Sequence, residues 1–411
     1  MDLIRALLDF NAGRDPKRLA MKFVAMRASP FAFLRGSCHL FYSRPLNASV
    51  LRTAPAVWAC GDLHLQNFGS YKGDSRLVYF DINDFDESAL APASWDVLRL
   101  LTSLLVADAG LGTLTAPQVQ GLCQSLAEAY AAALAAGRAD RIERDAASGP
   151  IGDLLASLRE RKRKDWLDRR TVLKGKRRRI VCDDKHASTA SAADVERATA
   201  LIDGFAATQA EPGFFEVVDV AQRIAGTGSL GIERYAVLVR GKGSPDDNYF
   251  LDLKRASASA LAPALAMLAP ALAMLPLAQP AWPTQAQRIV ETQRRMQAVP
   301  AAFLHPLTQA DRAYVLRGLE PTEDRVALDG LPFDALRGLV QDLGRLLAWA
   351  QLRSSGRQGS AVADALIAFG ADGKTWITAL LAAASEAAQE VRRDWAAYCV
   401  AFDADAFRQT P

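Results

Sequence analysis

Two polar loops near the N-terminus constrain the fold and function of this chain more than any other feature. The first spans Cys60–Gly69 and the second spans Tyr79–Glu87. Short apolar runs, Ala56–Ala59 and Leu77–Phe80, predict β-strands beside them. A loop needs few acids for solubility, so their density here predicts a site of chemistry or metal binding. The polar residues concerned are Asp62, His64, Asn67, Asp81, Asn83, Asp84, Asp86 and Glu87.

Length and composition are those of a folded globular protein. The chain has 411 residues, half of them hydrophobic, which is enough for a bilobal protein with a sizeable core. Its formal net charge is only +3, so no binding to nucleic acid is expected from the overall charge. The basic residues are nevertheless concentrated between Arg159 and Arg179. This run predicts either a solvated helix and loop or a rim that holds a phosphorylated or acidic partner.

The cysteines and the first residues predict a cytoplasmic protein. Five cysteines are scattered without CxxC spacing, which fits neither a disulfide framework nor a zinc site. The segment Met1–Phe10 lacks the basic start and the long apolar core of a secretory signal. We expect it to form a short amphipathic helix.

Residues 256–280 are apolar enough to resemble a membrane span, but four prolines interrupt them. We therefore expect no membrane span. The stretch contains a direct repeat, Ala262–Leu268 and Ala269–Leu275, with a proline in each copy that excludes a coiled-coil seam. We interpret the repeat as a low-complexity insertion of poor order.

In the middle of the chain the pattern changes from a helical period to the alternation typical of strands. Three consecutive antiparallel strands are predicted at Phe214–Ala225, Glu233–Arg240 and Asn248–Arg255. Between the first two, Gly226–Gly231 reads Gly-Thr-Gly-Ser-Leu-Gly, a spacing that alone is equally good at closing a hairpin. Its position between strands, with Lys254 near the end of the third, makes it a candidate phosphate-binding loop.

This layout is the one that protein kinases use to hold ATP. In kinases a glycine-rich loop covers the phosphates, and a lysine on the third strand pairs with them and with a helix glutamate. The predicted helix Thr284–Gln297 carries Glu291, the candidate partner of Lys254, and a further strand is predicted at Ala313–Arg317. The candidate cofactor-binding residues are Gly226, Thr227, Gly228, Ser229, Gly231, Lys254 and Glu291.

The two polar loops carry the other groups that phosphoryl transfer requires. These are a carboxylate that orients or deprotonates the acceptor hydroxyl, and oxygen ligands for Mg²⁺. Asp62 is the candidate catalytic base, and Asn67 and Asp84 are the candidate metal ligands. Asp86 and Asp81 each have two candidate roles, as a second metal ligand or as a carboxylate that stabilises a turn.

Three further polar residues have candidate roles. His64 either takes part in acid–base catalysis or props the loop by hydrogen bonds. Arg35 stands between an aromatic segment and a glycine, where it could fix the carboxylate or phosphate of an acceptor. Asp96 begins a predicted helix and is expected to be structural.

Several of these stretches resemble known families. The loop Gly61–Asn67, with Asp84-Phe85-Asp86 and Trp95-Asp96 after it, resembles the catalytic and metal loops of aminoglycoside and choline phosphotransferases, which share the protein-kinase fold. More closely, the chain resembles an uncharacterised bacterial family named domain of unknown function 2252. This resemblance implies a kinase-like fold and assigns no activity. The shared stretches are Ser29–Gly36, Cys60–Gly69, Phe80–Glu87, Trp95–Leu100, Gly226–Gly231, Leu253-Lys254 and Gln287–Gln297.

The chain departs from these patterns at two positions and in the order of its motifs. Gln351 replaces a histidine that is usual in the family, and Arg255 replaces an acidic residue. The glycine loop, lysine and glutamate precede the catalytic and metal loops in kinases, but follow them here. We therefore predict an α+β, kinase-like bilobal fold that is circularly permuted. The small antiparallel β lobe is expected at residues 211–320, and the large helical lobe at 1–210 and 321–411.

Three functions follow from these features. The first is an ATP- and Mg-dependent phosphotransferase, or a nucleotidyl transferase with the same cleft, whose unknown acceptor is expected to be anionic. The second is a metallophosphoesterase, because Gly-Asp-x-His and clustered aspartates also occur at two-metal sites, although only four dispersed histidines are present. The third is a catalytically weak, nucleotide-binding scaffold, which the change at Gln351 would favour. The kinase-like interpretation requires Lys254 to lie near Asp62 and Asp84.

Overall fold

The computed structural model of the protein describes residues 2–44, 48–107, 114–243, 245–268 and 277–408. Its architecture is mixed α and β, as predicted. The described helices are α1 (Leu3–Phe10), α2 (Pro16–Arg27), α3 (Pro30–Gly36), α4 (Cys38–Tyr42), α5 (Val50–Thr53), α6 (Ser94–Leu105), α7 (Ala116–Ala135), α8 (Gly149–Ser157), α9 (Arg163–Asp168), α10 (Ala192–Ala206), α11 (Ala262–Leu268), α12 (Gln285–Met296), α13 (Phe333–Arg353), α14 (Ala363–Ala371) and α15 (Gly373–Asp403).

The strands form small sheets with antiparallel pairing. They are β1 (Ala56–Ala59), β2 (Phe68–Lys72), β3 (Val78–Ile82), β4 (Ala89–Pro92), β5 (Ile142–Glu143), β6 (Thr171–Lys174), β7 (Arg177–Ile180), β8 (Ala187–Thr189), β9 (Val217–Arg223), β10 (Arg234–Val239), β11 (Tyr249–Arg255), β12 (His305–Gln309) and β13 (Arg312–Leu319). The separate sheets are β1-β4, β2-β3-β5, β6-β7 and a larger one of six strands.

The six-stranded sheet has the order β12-β13-β11-β10-β9-β8. It contains the three consecutive strands that alternation predicted, and the strand predicted near residue 315, so these predictions are confirmed. Two outer strands, β8 and β12, were not predicted. Helix α10, which the sequence placed with the helical part, packs on this sheet through Leu201, Ile202 and Phe205.

Alternation along the central strands gives the sheet one apolar and one charged face. On β11, Leu251 and Leu253 belong to the apolar cluster under α10. Asp252 and Lys254 alternate with them and line a cleft on the other side. The register pairs Lys254 with Arg234 of β10, so both strands contribute charge to the same end of this face.

Strand pairing brings the two polar loops together. The first loop runs from β1 to β2, and the second from β3 to β4. Ala59 pairs with Ala89, and Phe68 pairs with Ile82, so the same two pairs bracket both loops. The loops must therefore lie opposite each other, with the apolar strand residues in the main core.

The basic run and the repeat differ from their predictions. The basic run forms α9 and the hairpin β6-β7 instead of a helix and loop, because its alternating residues pair across a turn. Arg178 is buried there and pairs with Asp168 and Asp246. The first copy of the repeat forms α11, whose Ala264 and Leu265 belong to an apolar cluster with Trp95. The second copy lies outside the described residues.

Two expectations concern the N-terminus and the membrane. The predicted amphipathic helix is α1, and its Leu7 packs against the cluster formed with α15. In the described ranges, no single helix has the length and apolar character needed to cross a membrane. In the same ranges, α14 and α15 meet those criteria as a pair, and they are bent by 80° where they meet.

The α7–α13 contact provides a test of the fold. A Cβ at Gly344 of α13 would lie 2.5 Å from the carbonyl oxygen of Leu126, so the helices could not keep their present distance. We expect Gly344→Ala to lower the free energy of unfolding by about 1–3 kcal/mol, measured by urea denaturation.

The matched control is Gly338→Ala in the same helix, where an added Cβ meets nothing within 4 Å. It should raise the stability by roughly 0.5–1 kcal/mol because alanine favours the helix. Equal effects of the two substitutions would contradict the close contact.

Candidate functional site

Helix α6 anchors the first polar loop. The buried Asp96 carboxylate accepts hydrogen bonds from the backbone N–H groups of Cys60 (2.7 Å) and Gly61 (2.9 Å). Gly61 has a φ of +83°, and a Cβ there would collide with the carbonyl oxygen of Glu87. Glycine is therefore required where the loops touch. Asp96 has the expected structural role, but it binds this loop in addition to beginning its helix.

Asp62 is held by a buried arginine. Arg99 of α6 donates from Nε to Asp62 Oδ1 at 2.8 Å, and its Nη2 also contacts this oxygen. The Arg99 side chain is 0% exposed and that of Asp62 is 17% exposed. Burial raises the pKa of the Asp62 carboxyl above its ordinary value, and the charge of Arg99 only partly opposes this effect. An oriented carboxyl with a raised pKa is suited to general base catalysis.

Asn67 and His64 support the backbone around Asp62. The Asn67 side chain donates from Nδ2 to the carbonyl oxygen of Asp62 at 2.7 Å. The Nδ1 atom of buried His64 accepts from the N–H of Gln66 at 3.2 Å. Burial holds the pKa of His64 well below its ordinary value, so the imidazole is neutral at physiological pH. These contacts match the loop-supporting alternative for His64.

The acids of the second loop have different surroundings. Asp81 is buried, pairs with Arg353 at 3.0 Å and accepts from the N–H of Ala298, which is the structural alternative of its two predicted roles. Asp84 lines the cleft and accepts from the N–H of Asp86 at 3.4 Å. Asp86 forms an ion pair with Lys254. Burial alone would raise the pKa of Asp86, but Lys254 outweighs it and holds the pKa below its ordinary value.

Lys254 joins the glycine-rich segment to the second loop. Besides its ion pair with Asp86, its Nζ donates to the Ser229 hydroxyl at 2.6 Å. A Cβ on Gly228 would lie 3.1 Å from the carbonyl oxygen of Arg35 and 4.0 Å from Asp62 Oδ2. The glycine-rich segment therefore lies directly against Asp62, although more than 160 residues separate them in sequence.

The turn between α1 and α2 holds the glycine-rich segment in place. Arg14 donates to the carbonyl oxygens of Gly228 (2.7 Å) and Leu230 (3.0 Å). The N–H of Asp15 donates to the carbonyl oxygen of Gly231 at 3.0 Å. Gly231 thus contacts the N-terminal region, and it is not among the residues that line the cleft in the described part of the chain.

The predicted ion pair between Lys254 and Glu291 is wrong. Glu291 pairs with Arg294 (3.3 Å) and Arg295 (4.0 Å) on its own helix. Helix α12 presents Ile289 and Gln293 to the cleft. Glu291 lies midway between them in sequence, which turns its side chain to the opposite side of the helix.

The cleft has two adjoining cavities. The larger, of about 340 Å³, lies under the charged face of the sheet, and the smaller, of about 80 Å³, surrounds Asp62. Residues that line both include Asp84, Asp86, Gly226, Ser229 and Arg325. Thr227, Gly228, His64, Asn67 and Arg35 also line the smaller one. The structure therefore brings most of the predicted site residues together.

Arginines are the residues that the sequence reasoning missed. Arg99 lies one helical turn after Asp96 on α6, so the spacing itself was a signal that both side chains face the loop. Arg325, on the segment that follows β13, lines both cavities. Arg223, Arg234 and Arg317 line the larger cavity, and strand alternation beside Lys254 could have placed them there.

Asp84 and Asn67 are the residues of the cleft that could hold Mg²⁺ together with phosphate oxygens. Among the described residues, no group of three or more His, Cys, Asp or Glu side chains is placed to hold a metal ion. Mg²⁺ is typically bound by one or two carboxylates together with substrate phosphates. Asp84, with the amide oxygen of Asn67, matches that donor set.

Comparison with known proteins identifies the family. The model of a family described as an uncharacterized protein conserved in bacteria, DUF2252, matches residues 14–401. The chain belongs to the DUF2252 family. Neither the curated proteins nor the solved structures provide a match.

The two positions at which the sequence was expected to depart from the family pattern lie at different places relative to the cleft. Gln351 is fully buried, accepts from the Tyr130 hydroxyl (2.6 Å) and donates to the carbonyl oxygen of Ala93 (3.3 Å). It joins α13 to α7 and to the start of α6, and does not line either cavity of the cleft. Arg255, in contrast, lines the smaller cavity.

Glu87 is an acid whose raised pKa leads to a testable pH dependence of stability. Its carboxylate accepts from the N–H of Ala260, and it lines the smaller cavity. Burial raises the pKa of Glu87 from 4.5 to about 7, and the nearby charges of Asp62 and Asp86 add to the increase. The folded protein therefore binds this proton more tightly than the unfolded chain does.

This titration predicts a pH dependence of stability. Between pH 4.5 and 7 the contribution of Glu87 should fall as pH rises, because the folded state must give up a proton that it holds more tightly. We expect Glu87→Gln to remove roughly 1–3 kcal/mol of that fall, measured by urea denaturation across this range. Exposed Glu196 on α10 provides the control, since Glu196→Gln should keep the native slope. Identical slopes for native protein and Glu87→Gln would contradict the raised pKa.

Proposed function

We propose that this protein is a kinase-like phosphotransferase that uses ATP and Mg²⁺. The observation that carries the proposal is the meeting of Lys254 and the glycine-rich segment with Asp62 and Asp84 in one cleft. Phosphoryl transfer needs these parts together: donors for the phosphates, a carboxylate for the acceptor hydroxyl and oxygen ligands for the cation. Nucleotidyl transfer would use the same cleft.

The order of elements supports a permuted kinase-like arrangement. Apart from the additional helix α11, which follows β11, the chain runs from β9 through the glycine-rich segment, β10, β11 with Lys254, α12, β12 and β13. This is the order of the small lobe in protein kinases, where catalytic and metal loops follow it. Here those loops lie between β1 and β4, before the sheet, and a circular permutation would account for the difference.

Each side chain has a role that follows from its contacts. Arg99 orients Asp62. Asp62 accepts the proton of the acceptor hydroxyl while the acceptor oxygen bonds to the transferred phosphorus. In the same step, the bond from that phosphorus to the leaving phosphate breaks. Lys254 and the backbone of the glycine-rich segment bind the donor phosphates. When bound, Mg²⁺ would be held by Asp84 and Asn67 and would neutralise phosphate charge.

Two arginines favour an anionic acceptor. Arg35 and Arg325 both line the smaller cavity beside Asp62. The Nε atom of Arg35 is buried and has no hydrogen-bond partner among the described residues. Burial, then the charge of Arg325, lower the pKa of Arg35, so an anion between these groups would relieve their repulsion. The basic run is a weaker candidate, because Arg178 and Arg179 are already paired with aspartates.

The alternative functions have less support. A metallophosphoesterase needs several metal-binding side chains in one place, and the structure gives no such group in the ranges it describes. His39 stacks on Phe10, and His186 bonds to Asp183 on the surface. The scaffold interpretation relied on Gln351, which lies outside the cleft. An activity test decides between enzyme and scaffold.

Substitution of the two acids tests the proposal. We expect Asp84→Asn to weaken Mg-dependent ATP binding about tenfold or more, because a charged ligand of the cation is lost. Asp62→Asn should keep ATP binding and lower the rate of transfer by about 100-fold or more, because the base is lost.

Calorimetric titration and phosphate transfer from labelled ATP to a panel of anionic acceptors provide the measurements. Asp203→Asn, on the exposed side of α10, is the control and should behave as the native protein. Binding of ATP that is unaffected by Asp84→Asn, or absent in the native protein, would refute the proposal.

A further inference from the structure

A cluster of charged side chains lines one side of the larger cavity. We call it the arginine belt, and it consists of Arg223, Arg234 and Arg317 around Asp252. Arg234 binds the Asp252 carboxylate through both Nε (2.8 Å) and Nη2 (2.5 Å). Arg223 lies 2.7 Å and Arg317 3.2 Å from the same carboxylate. All four residues line the larger cavity beside Lys254.

The belt carries an excess of positive charge. Three guanidinium groups surround one carboxylate, which leaves two positive charges, and Glu323, 3.9 Å from Arg317, offsets one of them. Burial lowers the pKa of Arg223 to about 10, with Asp252 opposing and Arg234 and Arg317 adding to the effect, whereas the neighbouring carboxylates hold the pKa values of Arg234 and Arg317 above their ordinary value. An anionic ligand would stabilise this arrangement, because arginine binds phosphate oxygens with paired hydrogen bonds.

The belt lines the larger cavity with charged side chains, and few apolar side chains are accessible beside it. On β11, the side chain two residues before Lys254 on the same face is Asp252. The large apolar side chains that line this cavity are Tyr71, Phe85, Ile289 and Val315, and each is at most 8% exposed. They offer a purine or pyrimidine little surface for stacking, while charged groups of the belt would lose solvent against it.

We propose that the cleft binds its phosphate donor through the polyphosphate chain alone and does not select a nucleobase. The inference rests on the proposed phosphotransferase function and specifies its donor class. Lys254 and the glycine-rich segment hold the phosphate that is transferred, and the belt holds the phosphates behind it. Inorganic tripolyphosphate and nucleoside triphosphates of any base therefore bind alike.

A neighbouring cavity is another place that could receive a base. It has a volume of about 260 Å³, shares Arg223 and Glu323 with the cleft, and contains Trp166. The Trp166 ring already packs edge to face against Phe250, with centroids 5.3 Å apart, and the Arg170 guanidinium lies 4.4 Å from its centre. Because its ring is already in contact with these groups, we favour binding through phosphates alone.

Competition on the full-length native protein tests this inference. A fluorescent ATP analogue bound with Mg²⁺ is displaced by ATP, GTP, CTP or inorganic tripolyphosphate, and the four affinities are compared. We expect them to agree within about threefold, since no stacking contact separates them. An ATP affinity more than about tenfold above that of CTP or tripolyphosphate would overturn the inference and leave the proposed function standing. If Trp166→Ala abolished such a preference, the base would lie in the neighbouring cavity, which also overturns the inference.

A variant of the belt gives a second measurement. Arg317→Gln should weaken all four ligands equally, by about tenfold or more, because a charged donor to phosphate is lost. Arg312→Gln is the matched control on the same strand, where Arg312 pairs with Glu233 away from the cleft, and it should change none of the affinities. An effect of Arg317→Gln on ATP but not on tripolyphosphate would contradict the inference. If no triphosphate binds the native protein, the proposed function fails together with it.

Discussion

The buried ion pair between Arg99 and Asp62 is the interaction on which the rest of the site depends. Arg99 lies on α6, and its guanidinium also binds the carbonyl oxygen of Leu34 on α3. Helix α3 carries Arg35, whose carbonyl oxygen lies against Gly228. The Arg99 side chain thus connects α6, the first polar loop and α3, and α3 in turn contacts the glycine-rich segment. Replacing Arg99 would typically cost about 3–5 kcal/mol, because the Asp62 carboxylate would be left without compensation.

Much of the fold could be predicted because it follows from local patterns. The alternation of apolar and polar residues predicted β9, β10 and β11, and the apolar runs beside the polar loops predicted β1 and β3. Asp62 and Asp84 were assigned to one site from the groups that phosphoryl transfer requires, whereas the pairing of β1 with β4 and of β2 with β3, which brings the loops together, was not predicted. The hairpin β6-β7 was not predicted, because its many charged residues give no clear alternation of apolar and polar positions. Its arginines also depend on Asp168, Asp219 and Asp246, which lie on other elements.

The partners of charged residues were harder to predict than the residues themselves. Lys254 lines the cleft, but its carboxylate partner is Asp86, from the opposite loop, instead of Glu291. The phase of α12 held a usable signal: Ile289 is buried, so Glu291, two residues later, had to face away from the same contact. Salt bridges between segments that are far apart in sequence depend on distances in the folded structure. Composition and motif spacing do not predict those distances.

The Lys254–Asp86 pair also explains how donor and cation binding would depend on each other under the proposed function. A phosphate that binds Lys254 competes with Asp86 for the same ammonium group. As that contact weakens, the Asp86 carboxylate is left beside Asp84, and both line the two cavities. Two neighbouring carboxylates repel each other and favour a cation between them. Donor phosphate and Mg²⁺ would then each raise the affinity for the other, and Asp86 would serve as a metal ligand only once the donor is bound.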